Sequence, residues 1–225
     1  MAIGIITARG GSKGIPNKNL VCLNKRPLIY YTIQAALNSC LSEIWITSDS
    51  KEILDYAESF GVKCILRPNY LAEDNSTSLD VLKHVVSILG ENETYCLLQP
   101  TSPLRTKEHI NEAMKIYNKD TSNIKSLVSI QQIDHKFIPE SALIIDEKGY
   151  LKSFSNEIKS LRRQDKKVYY ARNGAAIYIF EGSNIQTKLL DGNILCYEMN
   201  KIDSIDIDDK ADLFIAESIL QKRNE

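Results

Sequence analysis

Short, almost wholly apolar runs alternate with longer stretches of helical period through the first half of the chain. Ile3 to Thr7 predicts a strand, followed by a glycine-rich loop and a helix from about Pro27 to Asn38. Glu43 to Ser48 predicts the next strand. Asp49 or Ser50 would cap a helix whose apolar side carries Ile53, Leu54, Ala57 and Phe60, with Gly61 past its end. Val62 to Leu66 follows as a strand. A third helix, capped near Ser76 or Thr77, lines up Leu82, Val85, Val86 and Leu89 and stops at Gly90. Tyr95 to Gln99, a helix from about Lys107 to Asn118, and Ser126 to Ile130 complete the series. Strands apolar on both faces, joined by helices, predict an α/β fold with a mostly parallel sheet covered on each side. In such sheets ligands bind beyond the carboxyl ends of the strands.

The pattern changes after about residue 132. Ala142 to Ile145 and Tyr150 to Phe154, separated by Asp146-Glu147-Lys148-Gly149, predict a β-hairpin. A charged stretch, Lys159 to Lys167, precedes a strand-like run from Val168 to Phe180. The chain is therefore read as one domain, residues 1–225, with a β-rich insert at about 133–172. A projecting arm that contacts a second copy and a merely solvated lobe both fit this insert. A last helix, about Asp209 to Lys222, is apolar at Leu213, Ala216, Ile219 and Leu220.

Composition narrows the function classes. The 225 residues are 43% hydrophobic and 25% charged, ordinary for a protein with a real core, and the formal charge is -1. That balance argues against a nucleic-acid binder relying on bulk positive charge. No apolar run approaches the roughly 20 residues that cross a bilayer, and the apolar start reads as a buried strand rather than a signal peptide. The expected partners include neither nucleic acid nor membrane. Cys22, Cys40, Cys64, Cys96 and Cys196 are odd in number and form no CxxC pair, so a zinc site or disulfide framework is not expected. Four of them have apolar neighbours and read as small core residues of a cytoplasmic protein.

The first strand runs into Ala8-Arg9-Gly10-Gly11-Ser12-Lys13-Gly14-Ile15-Pro16-Asn17-Lys18-Asn19. Glycines let backbone N–H groups approach a ligand closely, and Arg9, Lys13 and Lys18 add three cations. Such a loop at a strand's carboxyl end is a cradle for polyphosphate. It is not a P-loop, because Ile15 follows Gly14, and it has no GxGxxG. Near the other end, Asp206 and Asp208 alternate with Ile205 and Ile207. On an extended strand the two carboxylates would share one side, about 7 Å apart, and repel unless a cation lies between them. Oxygen ligands that leave room for substrate phosphates suit Mg2+. Asp203 reads as structural and Asp209 as a helix cap.

ARGGSKGIPNKN resembles the opening motif of the CMP-sialic acid synthetases, the acylneuraminate cytidylyltransferases. The resemblance covers essentially the whole chain. Ser48-Asp49, Leu66-Arg67-Pro68, Leu98 to Arg105 (LQPTSPLR), Asn173-Gly174-Ala175 and Asp203 to Asp208 (DSIDID) match further family motifs in the same order. The resemblance implies a Rossmann-like nucleotidyltransferase fold, with the insert as a dimerisation arm and the enzyme a homodimer. It implies an enzyme that uses CTP and Mg2+ to convert a nine-carbon, nonulosonic sugar acid to its CMP-sugar. Arg9, Gly10, Gly11, Ser12, Lys13, Asn19, Arg67 and Ser78 would then bind nucleotide, with Arg9, Lys13, Lys18 and Gln99 catalytic. Gln99, Arg163, Asn173 and Tyr178 would meet the sugar, with Lys136 a second cation candidate, and Asp206 and Asp208 would hold the metal.

Several of these residues have structural alternatives. Gln99 could be a buried glutamine bonded to backbone, Ser78 a helix cap, Asp49 only a cap, and Arg105 half of a structural salt bridge. The family often places an arginine two residues before the Asn of NGA, where this chain has Ala171 with Arg172 adjacent, and NGAAIY is one residue longer than NGAIY. His84, His109 and His135 have no partner pattern and are given no catalytic role. A CMP-Kdo synthetase or another sugar nucleotidyltransferase is the alternative, although SKGIPNKN differs from the SxRLPGKP of the Kdo enzymes. A catalytically silent nucleotide-binding protein is a third reading.

Overall fold

A computed structural model describes residues 2–12, 14–121, 125–154, 167–185, 188–190 and 193–223. Lys13, Arg163 and most of the charged stretch 159–167 lie outside these residues.

The predicted alternation is present. Strands β1 (Ala2–Thr7), β2 (Cys22–Leu23) and β3 (Arg26–Pro27) precede helix α1 (Leu28–Leu37). Then come β4 (Glu43–Ser48), α2 (Lys51–Glu58), β5 (Lys63–Leu66), α3 (Ser78–Leu89), β6 (Thr94–Leu98), α4 (Lys107–Lys119) and β7 (Lys125–Gln132). Strands β8 (Leu143–Ile145), β9 (Leu151–Ser153), β10 (Tyr170–Arg172), β11 (Tyr178–Glu181) and β12 (Asn193–Glu198) lead to α5 (Lys210–Arg223).

The main sheet runs β10-β7-β11-β6-β1-β4-β5, with β12 on β7. β1 pairs in parallel with both β4 and β6, whereas β10 and β11 run antiparallel. Ile6 and Ile46 pack into one apolar layer and Ile3, Ile5 and Leu97 into the other, because successive residues face opposite sides of a strand. Burial of both faces is why these strands read as continuous apolar runs. From β1 the chain builds outward through β4 and β5, then returns to β1's other flank with β6. The connections diverge at the carboxyl end of β1, which opens a crevice there.

The run predicted as one strand from Val168 to Phe180 is two. β10 and β11 pair with successive stretches of β7, and residues 173–177 leave the ladder at Gly174, whose φ is +69°. β10, read as the end of the insert, thus belongs to the main sheet, while among the described residues β8 and β9 pair only with each other in a sheet of their own. Leu143, Ile145, Tyr150, Leu151 and Phe154 on or beside that hairpin are all more than half exposed. The cysteines correct the sequence reading: Cys96 is buried and Cys64 half-buried, but Cys22, Cys40 and Cys196 are exposed. Apolar neighbours in sequence do not bury a residue whose strand side faces solvent.

Candidate active site

A cleft of about 300 Å³ lies at the carboxyl ends of β1, β5 and β6. Arg9, Ser12, Lys18, Asn19, Arg67, Ser78, Gln99 and Thr101 line it. The loop after β1 is tied down from several sides. The Gly10 N–H donates to Asp49 Oδ1 (3.0 Å), and Asn19 Nδ2 donates to the Arg9 carbonyl (2.9 Å). Asp49 is therefore not a helix cap. It holds Gly10 and faces Arg67, whose guanidinium lies 3.6 Å from Oδ1.

Arg67 is buried, and its Nε and one terminal nitrogen have no hydrogen-bond partner. Burial, and secondarily Arg9 nearby, pull its pKa below the usual range, while Asp49 opposes that shift. A buried guanidinium with unused donors at a cleft is suited to an anion. Arg9 pairs with Asp74 (3.1 Å) on the opposite rim, so a carboxylate sits where an incoming phosphate would compete. Ser78 is the first residue of α3, but the cap is Thr77, which exchanges bonds with Asp80 in a capping box. This leaves the Ser78 side chain on the cleft wall.

The acidic segment meets the cationic loop. Asp206 and Asp208 do not lie on a strand: the chain is irregular there, because Ile207 turns into the core and its N–H bonds the Thr101 carbonyl (2.7 Å). Lys18 Nζ donates to the Ile207 carbonyl (2.6 Å) and lies 3.4 Å from Asp208 Oδ1. A Cβ on Gly14 would come within 2.7 Å of the Asp208 carbonyl, and one on Gly174 within 2.6 Å of Asp206 Oδ2. Gly14 is required by close approach, and Gly174, at φ +69°, by close approach and backbone freedom together. Burial raises the Asp206 pKa, a Thr101 hydrogen bond opposes it, and Asp208 raises it further. Asp206 Oδ1 is buried without a partner. An orphaned carboxylate oxygen beside a second carboxylate fits a hard cation. Among the described residues no group of three or more His, Cys, Asp or Glu could enclose a metal, so other oxygens would have to complete its shell.

A second recess, about 550 Å³, adjoins the first and shares Gln99, Thr77 and Ser78 with it. Its wall includes Arg172, Gly174, Ala175 and Tyr178. Burial raises the Tyr178 pKa and Arg172 alongside lowers it. Asn173 points inward instead: its Oδ1 accepts from Ser129 Oγ (2.7 Å) and its Nδ2 donates to Ser204 Oγ (3.0 Å). It anchors the Gly174 turn rather than offering its amide to the recess. Lys136 lines neither recess, and His135 lines a separate hollow.

Other expectations resolve structurally. Asp203 pairs with Arg223 and with His109 (3.4 Å), and Asp209 caps α5 by accepting from the Ala211 and Asp212 N–H groups. Arg105 makes its bonds to carbonyls and a hydroxyl rather than in a salt bridge. Sequence reasoning missed Gly14's contact with Asp208, Thr101 and the acidic rim at Glu73 and Asp74. Thr101 was signalled by the motif that contains it, and the rim by nothing local.

The family model described as cytidylyltransferase matches residues 3–223. The chain is 38% identical to an N-acylneuraminate cytidylyltransferase of Escherichia coli O18:K1:H7, over 99% of this chain and 52% of that protein. It is 36% identical to a CMP-N,N'-diacetyllegionaminic acid synthase of Legionella pneumophila, over 99% of this chain and 97% of that one. It thus spans about half the length of the first of these relatives and nearly all of the second. In fold it resembles a CMP:2-keto-3-deoxy-manno-octonic acid synthetase complexed with CTP, with a TM-score of 0.76 at 20% identity and 99% coverage of both chains. The chain belongs to the cytidylyltransferase family.

Proposed function

We propose that this protein joins CMP from CTP to the anomeric hydroxyl of a nonulosonic sugar acid and releases pyrophosphate. The observation that carries this reading is the meeting of the loop after β1 with the Asp206–Asp208 segment, through Lys18 and Gly14, at the crevice beside β1. The triphosphate would lie along Arg9, Ser12 and Lys18 and the glycine loop, with Lys13 and Asn19 on the same segment and Arg67 and Ser78 opposite. The sugar oxygen bonds the α-phosphorus as the bond to the bridging oxygen breaks, and pyrophosphate leaves in line. Such transfers depend on positioning and on neutralising charge. Arg9 and Lys18 face the charge that grows on the leaving group. Gln99, on the wall common to both recesses, would orient the acceptor beside Tyr178, with Arg163 of the insert supplying a guanidinium for the acid's carboxylate.

Asp206 and Asp208 would hold Mg2+, which when bound polarises phosphate oxygens. The exposed apolar hairpin supports a homodimer in which the insert is the contact. Free thiols at all five cysteines are in keeping with a cytoplasmic setting.

The test is pyrophosphate release from CTP against a panel of nine-carbon sugar acids and Kdo. Turnover with a nine-carbon acid is expected. Turnover with Kdo alone would favour the CMP-Kdo reading, and CTP binding without pyrophosphate release would favour a silent protein.

A further inference from the structure

We propose that Arg105 is a positioning residue for the acceptor: a buried guanidinium that fixes the Gln99 peptide and the Gly174 turn, and so sets where the sugar recess meets the nucleotide cleft. The inference rests on the functional reading above.

Arg105 lies on the connection between β6 and α4 and is 2% exposed. One terminal nitrogen donates to the carbonyls of Gln99 (3.1 Å) and Ala176 (2.7 Å), and the other to Thr32 Oγ1 (2.6 Å). Burial lowers its pKa to about 10, which leaves it charged at neutral pH. A buried cation held by neutral oxygens, with no carboxylate paired to it among the described residues, is a costly way to pin a fold, so its geometry calls for an explanation. The three acceptors come from the end of β6, the approach to β11 and α1. A planar fork reaches all three at once, whereas the ammonium of a lysine is a point charge.

The clamp converges on one residue. Gln99 donates its N–H to the Ala175 carbonyl (3.0 Å) while its own carbonyl accepts from Arg105. The backbone on both sides of the Gln99 Cα is therefore held, which leaves the side chain on the wall between the two recesses. Ala175 and Gly174, beside Ala176, line the sugar-side recess with Tyr178. The cations on the nucleotide side, Arg9, Lys18 and Arg67, belong to segments to which Arg105 donates no bond. Disturbing the clamp therefore displaces the acceptor wall and leaves the CTP contacts in place.

The experiment compares wild type with Arg105→Lys and Thr32→Val in steady-state kinetics, varying CTP and the sugar acid separately, and in amide hydrogen exchange. Arg105→Lys is expected to raise the sugar KM by roughly tenfold or more while the CTP KM stays within about twofold, and to speed Gln99 amide exchange by about tenfold. Thr32→Val, which removes one arm of the clamp at similar volume, should shift both readouts in the same direction by less. A merely structural loss would not split the two KM values. Equal rises in both, a fall in kcat alone, or unchanged exchange at Gln99 would overturn the proposal. If wild type turns over no acid in the panel, the functional reading fails instead, and exchange at Gln99 still decides whether the clamp exists.

Discussion

The end of the sheet around β1 and the β8–β9 hairpin handle exposure in opposite ways. Around β1, apolar side chains are buried on both faces, and the strand ends present backbone donors, glycines and cations. On the hairpin the apolar side chains themselves face outward: Ile145 is 71% and Leu151 65% exposed. Burying each would be worth about 1.5–3 kcal/mol. The first region is a buried scaffold that presents charged and polar groups at its edge. The second is a surface that presents apolar side chains to solvent. Under the proposed reading, charge chemistry belongs to the first region and assembly to the second, and each should fail without the other unfolding.

The sharpest break in that comparison is charge removal at the cleft. Arg9→Ala should lower kcat/KM for CTP by about a hundredfold or more while Tm hardly moves, since its exposed pair with Asp74 is worth roughly 0–1 kcal/mol. Asp206→Asn should cost as much in turnover yet raise the Tm of the ligand-free protein. Its carboxyl pKa is raised by burial, so its contribution to stability is full only below the ordinary carboxylate pKa and is lost as pH rises. Calorimetry at neutral pH would show the gain, and a lowered Tm would contradict it.

Next in size is Gly174→Ala. The positive φ and the collision with Asp206 together should cost about 1–3 kcal/mol and roughly tenfold in turnover. Gly61→Ala is the control: its φ is +76° but the space is open, so chemical denaturation should report only about 1 kcal/mol and no kinetic change.

On the hairpin, Ile145→Glu with Leu151→Lys should convert a dimer to a monomer in light scattering, at a cost within about 0.5 kcal/mol to the fold itself. A dimer that survives both changes would place the interface elsewhere.

The smallest effect concerns His109. Its Nδ1 accepts from the Thr106 N–H (3.1 Å), and burial holds its pKa below the usual value, although Asp203 opposes this. The stability it contributes is present above the unfolded pKa of about 6.5 and lost as pH falls. His109→Gln should therefore flatten the fall of Tm on acidification below that pH.

Residue order alone exposed much of the fold. The five described helices are legible in the order of residues, four of them from apolar spacing, and α3 stops at Gly90 as expected, where φ is +113°. The break between β10 and β11 was hidden, because a departing turn with apolar Ala175, Ala176 and Ile177 keeps the look of a strand. The cationic loop and the acidic pair were visible as chemistry. The irregular backbone at Asp206 was not, because alternation with Ile205 and Ile207 imitates a strand whenever every second residue is buried. Arg105 reads in sequence as one half of a salt bridge, since no local pattern reveals that two of its acceptors, the Thr32 hydroxyl and the Ala176 carbonyl, lie far along the chain.

What the sequence by itself determined was local: period, glycine positions, the sign of each charge, and family membership through ordered motifs. The tertiary structure alone decided which of these meet. Lys18 reaches the Ile207 carbonyl across 189 positions, and Arg105 reaches Ala176 across 71. Such pairings follow from sheet order and the return of the chain past β1, and those are set by how the apolar faces of all the elements pack together, not by any one segment.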